Sequence, residues 1–375
     1  MNTSNMVSII VPVKNAERTI SQMLDSFNDL NYPKSHLEVI IVDGGSSDRT
    51  IKIIRDFENN NSLLKIVLIQ LQNSRSPGEA RNAALKIARG EYLFFTDADC
   101  SPARDWLGEI LKHFSRDPDI GCVGGEILTL RVEQDNVVEQ YCEKTRFLSP
   151  AGRCKLYDSD YMPKIEHKVP TVVDGSQRSP FFATANAAFS RQAVNAIGGE
   201  FWDEPTGEDV DFCLRIQAVG YKLYYAKEAV VYHMHRVSLQ AYMKQLYGYG
   251  YGHPLLLSKH ADPLFEVAVA WFGHDYIWQF DSVKPVLINL GDFHFMHIFA
   301  VLALLSAFAS IYIAIPFALA ALFFAGKYFL PAVKISPPSK WLQFCGIRYL
   351  SNYSFVKGAI DGWRKFKVFV LEPSW

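Results

Sequence analysis

Short apolar runs alternating with amphipathic stretches dominate the first hundred residues. Residues 7–13 are almost continuously apolar, the pattern of a central strand covered on both faces. Asn15 and Thr19 then offer helix caps ahead of Ile20, Met23, Leu24 and Phe27, which recur at helical spacing. A second strand is expected over 39–43, a turn over 44–48, a helix over 50–57 and a third strand over 65–69. A helix over 77–89, closed by Gly90, leads into a fourth strand over 92–95. Strands alternating with helices at this spacing predict an α/β fold with a right-handed, mostly parallel central sheet.

Beyond residue 100 the pattern is less regular. A strand is expected over 122–128, with Gly124 and Gly125 placed where backbone can approach a ligand. Residues 137–147 suit a helix, whereas 149–180 mix Pro, Gly, Asp and Lys without a period; the stretch 131–180 reads as an acceptor-side loop. A small-residue strand over 181–189, helices from 191 and over 210–219, and strands over 221–225 and 229–232 follow.

Polar clusters fall at the ends of these strands, where open α/β sheets bind ligands. They are 12–17, 43–48 and the pair Asp97 and Asp99 after the fourth strand. Period-two geometry puts Asp97 and Asp99 on one side of an extended backbone. Two such acids repel unless a cation lies between them, and Mg²⁺ or Mn²⁺ takes carboxylate and phosphate oxygens together. Asp43 either accepts from a ligand or stabilises its own turn, and Arg81 either pairs with phosphate or lies on a solvated helix face. No Gly-X-Gly-X-X-Gly or Walker sequence occurs, which argues against dinucleotide and P-loop sites.

Four motifs carry a family resemblance: Val-Pro-Val-Lys-Asn-Ala-Glu at 11–17, Val-Asp-Gly-Gly-Ser-Ser-Asp at 42–48, Gly-Glu-Ala-Arg-Asn-Ala-Ala at 78–84 and Asp-Ala-Asp at 97–99. In order and spacing the chain resembles the family-2 glycosyltransferases across roughly 6–235. The resemblance implies a GT-A fold, a Rossmann-like domain that binds a nucleotide sugar. It implies that Pro12 and Glu17 line the base and ribose pocket, that Asp43 accepts from the base (commonly uracil) and that Arg81 approaches the diphosphate. Asp97 and Asp99 would meet ribose and Mn²⁺ or Mg²⁺. Gly207-Glu208-Asp209 is similar to the family's X-Glu-Asp motif, with Asp209 at the catalytic-base position. A carboxylate there can take the acceptor hydroxyl proton during inverting transfer. Equally, Glu208, Asp209 and Asp211 could decorate the first turn of a helix, where acids suit the macrodipole. Asn186 and Glu208 are expected on the donor-sugar or acceptor side, although Ala183, Thr184 and Ala185 stand where the family often has glycines. His233, after the last strand, is the expected nitrogen ligand to the metal.

The C-terminal third adds a membrane signal. Phe293 to Gly326 contains no Asp, Glu, Lys or Arg. At about 1.5 Å per residue this run is on the order of 50 Å long, too long for one upright span. Pro316 is expected to divide it into a hairpin, either re-entrant or of two short helices. Residues 237–292, with Tyr242, Tyr247, Tyr249, Tyr251, Trp271 and Trp278, are expected as interfacial helices, or as packing against the catalytic part. The expected organisation is therefore 1–236 catalytic, 237–292 interfacial, 293–330 hairpin and 331–375 a basic amphipathic tail. A buried hairpin in a soluble protein is the alternative.

The formal net charge of -1 argues against nucleic-acid binding, and six scattered cysteines suit reduced thiols. The polar N-terminus argues against a signal peptide. The combined reading is an inverting, metal-dependent glycosyltransferase at the cell membrane with its catalytic part facing the cytoplasm. It would use a nucleotide-sugar donor (UDP-linked) and a lipid-linked polyprenyl or dolichyl glycan acceptor, alone or as an oligomer. A polyprenyl-phosphate glycosyl synthase, a sugar-phosphate nucleotidyltransferase and a non-catalytic membrane scaffold are the alternatives.

Overall fold

A computed structural model describes residues 5–372 apart from 62, 152–155, 157, 164–180, 205 and 273. Much of the expected acceptor-side loop therefore lies outside the described residues. The chain divides into two units, Met1–Val132 with Arg146–Glu166 and Ser179–His235, and Glu133–Thr145 with Arg236–Trp375.

In chain order the elements begin β1 (Val7–Val13), α1 (Ile20–Asn28), β2 (Leu37–Asp43), α2 (Thr50–Asn60), β3 (Lys65–Gln70), α3 (Pro77–Leu85), β4 (Tyr92–Phe95), β5 (Cys100–Pro102), α4 (Trp106–Phe114) and β6 (Ile120–Thr129). They continue with α5 (Val137–Thr145), β7 (Asp160–Tyr161), β8 (Ala187–Ser190), α6 (Arg191–Ala196), α7 (Glu208–Ala218) and β9 (Lys222–His233). Except for α5, these build the first unit. Its sheet runs β3-β2-β1-β4-β8-β6-β9-β5, with β7 also on β9. Strands β3, β2, β1 and β4 are mutually parallel, and β6 is parallel to β9. Antiparallel β8 joins the two sets, so β1, β2, β4, β6 and β9 all end at one sheet edge.

The apolar runs are buried as their composition demands. Ile9, Ile10, Val39, Ile40, Phe94 and Phe95 are inaccessible, and Ile20, Met23, Leu24 and Phe27 form the covered stripe of α1. Each such side chain contributes roughly 1.5–3 kcal/mol. Ser76 caps α3, its Oγ accepting the Glu79 N–H at 3.0 Å, with Pro77 at the first helical position.

Two expectations are corrected here. Residues 181–189 are not one strand: a 3-10 turn at Thr184–Asn186 precedes β8. Nor do Gly124 and Gly125 open space for a ligand. A Cβ at Gly124 would fall 2.0 Å from the Phe182 ring, and one at Gly125 would fall 1.9 Å from the Ala229 carbonyl. Gly125→Ala is accordingly expected to force β6 and β9 apart and cost about 1–3 kcal/mol or more. An unchanged thermal midpoint in detergent solution would contradict this packing account.

The second unit contains α5, α8 (Leu239–His260), β10 (Leu264–Trp271), β11 (His274–Asp281), β12 (Val286–Leu290), α9 (Asp292–Ala307), α10 (Ile311–Ile335), α11 (Trp341–Phe366) and β13 (Phe369–Leu371). Helices α8 and α11 pack along each other, and Gly250, Gly358 and Gly362 admit the other helix's backbone at the crossing. Tyr242 is buried and the Tyr247 hydroxyl donates to Asp361 at 3.0 Å, so these tyrosines serve packing within the unit. Residues 264–280 are not an interfacial helix; they form the β10–β11 hairpin of a sheet ordered β11-β10-β12-β13. The apolar run breaks at 308–310 rather than at Pro316, which lies inside α10 and is carried within the helix, as is Pro331. Helices α9 and α10 pack as an antiparallel pair, and α10 is long and apolar enough to cross a membrane.

Candidate active site

At the shared strand edge, the loops after β1 and β2 are tied to one another. The Asn15 N–H donates to Ser46 Oγ at 2.8 Å, and Asn15 Oδ1 accepts the Ser47 N–H at 2.9 Å. The Ala16 N–H donates to Thr50 Oγ1 at 2.8 Å. Glu17 is a third exposed, and its Oε2 accepts both the Arg49 N–H and Nε–H at 3.1 Å. Pro12 pairs with Val42 one residue inside this edge. Of the two roles open to Asp43, the turn is realised: its buried carboxylate accepts the Gly45 and Ser46 N–H groups at 3.1 Å. The fused loops form a rigid polar rim.

The Asp97-Ala98-Asp99 segment is not extended. Strand β4 stops at Phe95, and the Cys100 N–H closes a turn onto the Asp97 carbonyl at 3.0 Å. The two carboxylates therefore separate. Asp97 Oδ1 accepts from Arg81 Nη2 at 3.1 Å, while Asp99 Oδ1 lies 3.4 Å from His233 Nε2. Short β5 is what makes the second contact, because it pairs Cys100 with His233 at the end of β9.

Arg81 is only 3% exposed, with its other arm, Nη1, donating to Glu208 Oε1 at 2.7 Å. Its guanidinium carbon stands 5.7 Å from the centre of the Phe201 ring, which stacks on Phe212. The expectation that Arg81 reaches the diphosphate is thus corrected: its two arms bridge the β4 acid to the α7 acid. Burial alone would lower its pKa, but Glu208 and Asp97 beside it raise it, so it stays charged. Burial, helped by Asp99, pushes the Asp97 carboxyl above its usual range against the pull of Arg81. Glu208 is buried as Arg81's partner rather than facing a sugar. Asp209 follows it in the first turn of α7, near enough to Arg81 to raise its pKa, and partly accessible. Gly207, at φ 82°, supplies the left-handed bend that starts this helix.

Asn186 does not face a sugar either. Its Oδ1 accepts from Trp106 Nε1 at 2.7 Å, and its Nδ2 donates to the Glu126 and Ala229 carbonyls at 2.8 Å. It clamps β6, β9 and α4 together. The reading from sequence missed Asp203, which accepts from Arg75 and from Ser76 Oγ and so anchors the start of α3; no motif signals that contact.

The residues at Asp99 fit a divalent cation. Ligand atoms of Asp99, Cys100 and His233 lie within 4.8 Å of one another, and buried His233 Nδ1 has no protein partner. Burial, with Asp99 and Asp97 nearby, pushes the Cys100 thiol well above its ordinary pKa, and soft sulfur is a poor match for Mn²⁺ or Mg²⁺. What remains is a carboxylate oxygen and an imidazole nitrogen, a donor set suited to Mn²⁺. Asp97, Asp99, Glu208 and Asp209 outnumber the positive charge that Arg81 brings to them, so a phosphate could share this spot only with added positive charge.

The parallel β3-β2-β1-β4 half, the antiparallel β8 join and the polar clusters at the strand ends are those of a GT-A fold. The sequence profile of glycosyl transferase family 2 matches residues 8–197, and the chain belongs to that family. Over its whole length it is similar to the dolichyl N-acetyl-alpha-D-glucosaminyl phosphate 3-beta-D-2,3-diacetamido-2,3-dideoxy-beta-D-glucuronosyltransferase of Methanococcus voltae. The two are 24% identical over 374 residues, which cover 97% of this chain and 100% of that one. It is 28% identical over 261 residues to the pre-mycofactocin glycosyltransferase of Mycobacterium tuberculosis, covering 68% of this chain and 48% of that one. Its fold is similar to that of the mannosyltransferase PcManGT from Pyrobaculum calidifontis, at a TM-score of 0.54 and 19% identity, covering 97% and 89% of the two chains.

Proposed function

We propose that this glycosyltransferase moves a sugar, with inversion, from a nucleotide diphosphate sugar to a lipid-linked acceptor. The nucleotide is UDP, and the acceptor a polyprenyl or dolichyl phosphate glycan. The observation that carries the reading is the join made at one sheet edge by Arg81, which links Asp97, two residues before the metal-competent Asp99, to Glu208 beside Asp209. In the reaction, Asp209 takes the acceptor hydroxyl proton as that oxygen bonds to the anomeric carbon. The bond to the diphosphate breaks on the opposite face, and its electron pair leaves with the diphosphate. Asp99 and His233 would hold Mn²⁺ or Mg²⁺, which neutralises charge on the departing group when bound. Arg81 holds Asp97 and Glu208 in place, and Glu17 and Pro12 border the nucleotide pocket. The whole-length likeness to an enzyme named for a dolichyl phosphate substrate supports the lipid acceptor.

The second unit supports a membrane reading of the re-entrant kind. Phe308 and Tyr312, at the tip of the α9–α10 pair, are 92% and 82% exposed, whereas Lys327 meets Asp292 at 2.9 Å at its base. The 16 residues of α9 reach only about 24 Å, short of a hydrocarbon core of about 30 Å. A hairpin of that depth enters and returns on one side, which keeps the catalytic unit on the cytoplasmic face with its sugar nucleotide.

UDP titrated calorimetrically into the wild-type chain is expected to bind more tightly with Mn²⁺ present, and Asp99→Asn to lose that increment. Equal affinity with and without metal, or an increment that survives Asp99→Asn, would contradict the assignment.

A further inference from the structure

The β10–β13 sheet has two unlike faces. One is core: Ala268 and Leu287 are inaccessible and Val370 is 1% exposed, packed with Leu257 of α8. The register places Phe265 opposite Phe280, Val267 opposite Trp278 and Val269 opposite Tyr276, all on the other face. That face continues through Ile288 and Leu290 on β12. It has no acidic or basic side chain on these positions, and Tyr276, Trp278 and Phe280 are each about half exposed. The sheet already has its buried side, so this second apolar face is not needed to fill the unit's core.

The neighbours of this face say what covers it. Trp271, on the same face, packs edge-on against Phe295 of α9 and 5.2 Å from Phe324 of α10. At the hairpin turn, Phe272 stacks on Phe323, and the Lys327 ammonium sits 5.2 Å from the Phe272 ring centre. These contacts lie at the Asp292–Lys327 ion pair, the level at which the apolar α9–α10 pair becomes polar. Tryptophan and tyrosine at the boundary between apolar and charged surface suit the interface of a bilayer, where the ring is shielded and its polar edge stays wet.

We propose that this sheet face is a lipid-docking surface, lying in the headgroup layer beside the inserted hairpin. The sheet would set how far the hairpin enters the bilayer. The proposal rests on the membrane reading of the α9–α10 pair, and its test separates the two. Single cysteines replace Trp278, Phe280, Ile277 and Tyr312 in the full-length chain. Each is labelled with a polarity-sensitive fluorophore and reconstituted in phosphatidylcholine–phosphatidylglycerol vesicles carrying lipids brominated near the headgroup or near the chain end. The described native cysteines are buried, and the unsubstituted chain supplies the labelling background.

Labels at Trp278 and Phe280 should be quenched chiefly by headgroup-proximal bromine, and the label at Tyr312 chiefly by chain-end bromine. The label at Ile277, on the opposite face of the same strand, should lose little emission. Quenching at Tyr312 without quenching at Trp278 and Phe280 would leave the membrane reading standing and overturn the sheet proposal. No quenching at any position would overturn both. A Trp278 label shielded only as protein concentration rises would assign the face to a second copy of the chain, and the proposal would fall.

Discussion

Arg81→Met is expected to lower the stability of the chain by about 3–5 kcal/mol, because it strands Asp97 and Glu208 without their shared cation. Arg81 is 3% exposed and its two arms stand 3.1 Å and 2.7 Å from those carboxylates. Burial already pushes the Asp97 carboxyl up, and protonating it on folding would recover part of the loss, so the deficit should shrink at low pH. Adding Glu208→Gln to Arg81→Met should cost less than the two changes summed, as for residues in one network. Thermal unfolding of the four proteins in detergent measures the coupling. A fully additive cycle, or an Arg81→Met chain that melts with the wild type, would show that the bridge does not hold the site together. Lysine is a poor substitute, since one ammonium cannot span both acids as the planar guanidinium does.

Asp209→Asn should reduce transfer by about 10²–10⁴-fold while leaving UDP affinity unchanged, because a general base acts only in the transition state. Asp209 differs from Glu208 beside it. Glu208 is consumed by Arg81, whereas Asp209 is partly accessible at the start of α7, where its Oδ1 accepts the Val210 N–H at 2.8 Å. Lost UDP affinity would place Asp209 on the donor instead, and undiminished turnover would remove it from the chemistry.

The fold of the first unit was legible because its strands are buried on both faces. Val7–Val13 and Leu37–Asp43 can be so nearly apolar only in such a sheet, and Asp43 at the end of β2 with Asp97 after β4 marks the binding edge. Which side chains those acids meet was not legible. Whether Arg81 faces phosphate or bridges two carboxylates depends on how α3 packs against Phe201 and α7, and spacing along the chain carries no such information. Asn186 shows the same limit: its three hydrogen bonds reach α4, β6 and β9, none close in sequence. The approach of His233 to Asp99 at 3.4 Å comes through the β5 pairing, which no pattern announced. The β10–β11 hairpin is a different case. Phe265, Val267, Val269 and Trp271 alternate with Glu266, Ala268 and Ala270, a period of two that outweighs the interfacial aromatics read there as helical.

The central claim is sugar transfer to a lipid-held acceptor at this strand edge. It is tested most directly by incubating membranes that contain the chain with radiolabelled nucleotide sugars, with and without Mn²⁺, and extracting into organic solvent. The account predicts Mn²⁺-dependent label in the lipid phase from a UDP-linked donor, absent with Asp209→Asn. Label confined to protein or water-soluble glycan, or lipid labelling indifferent to metal and to Asp209, would contradict it.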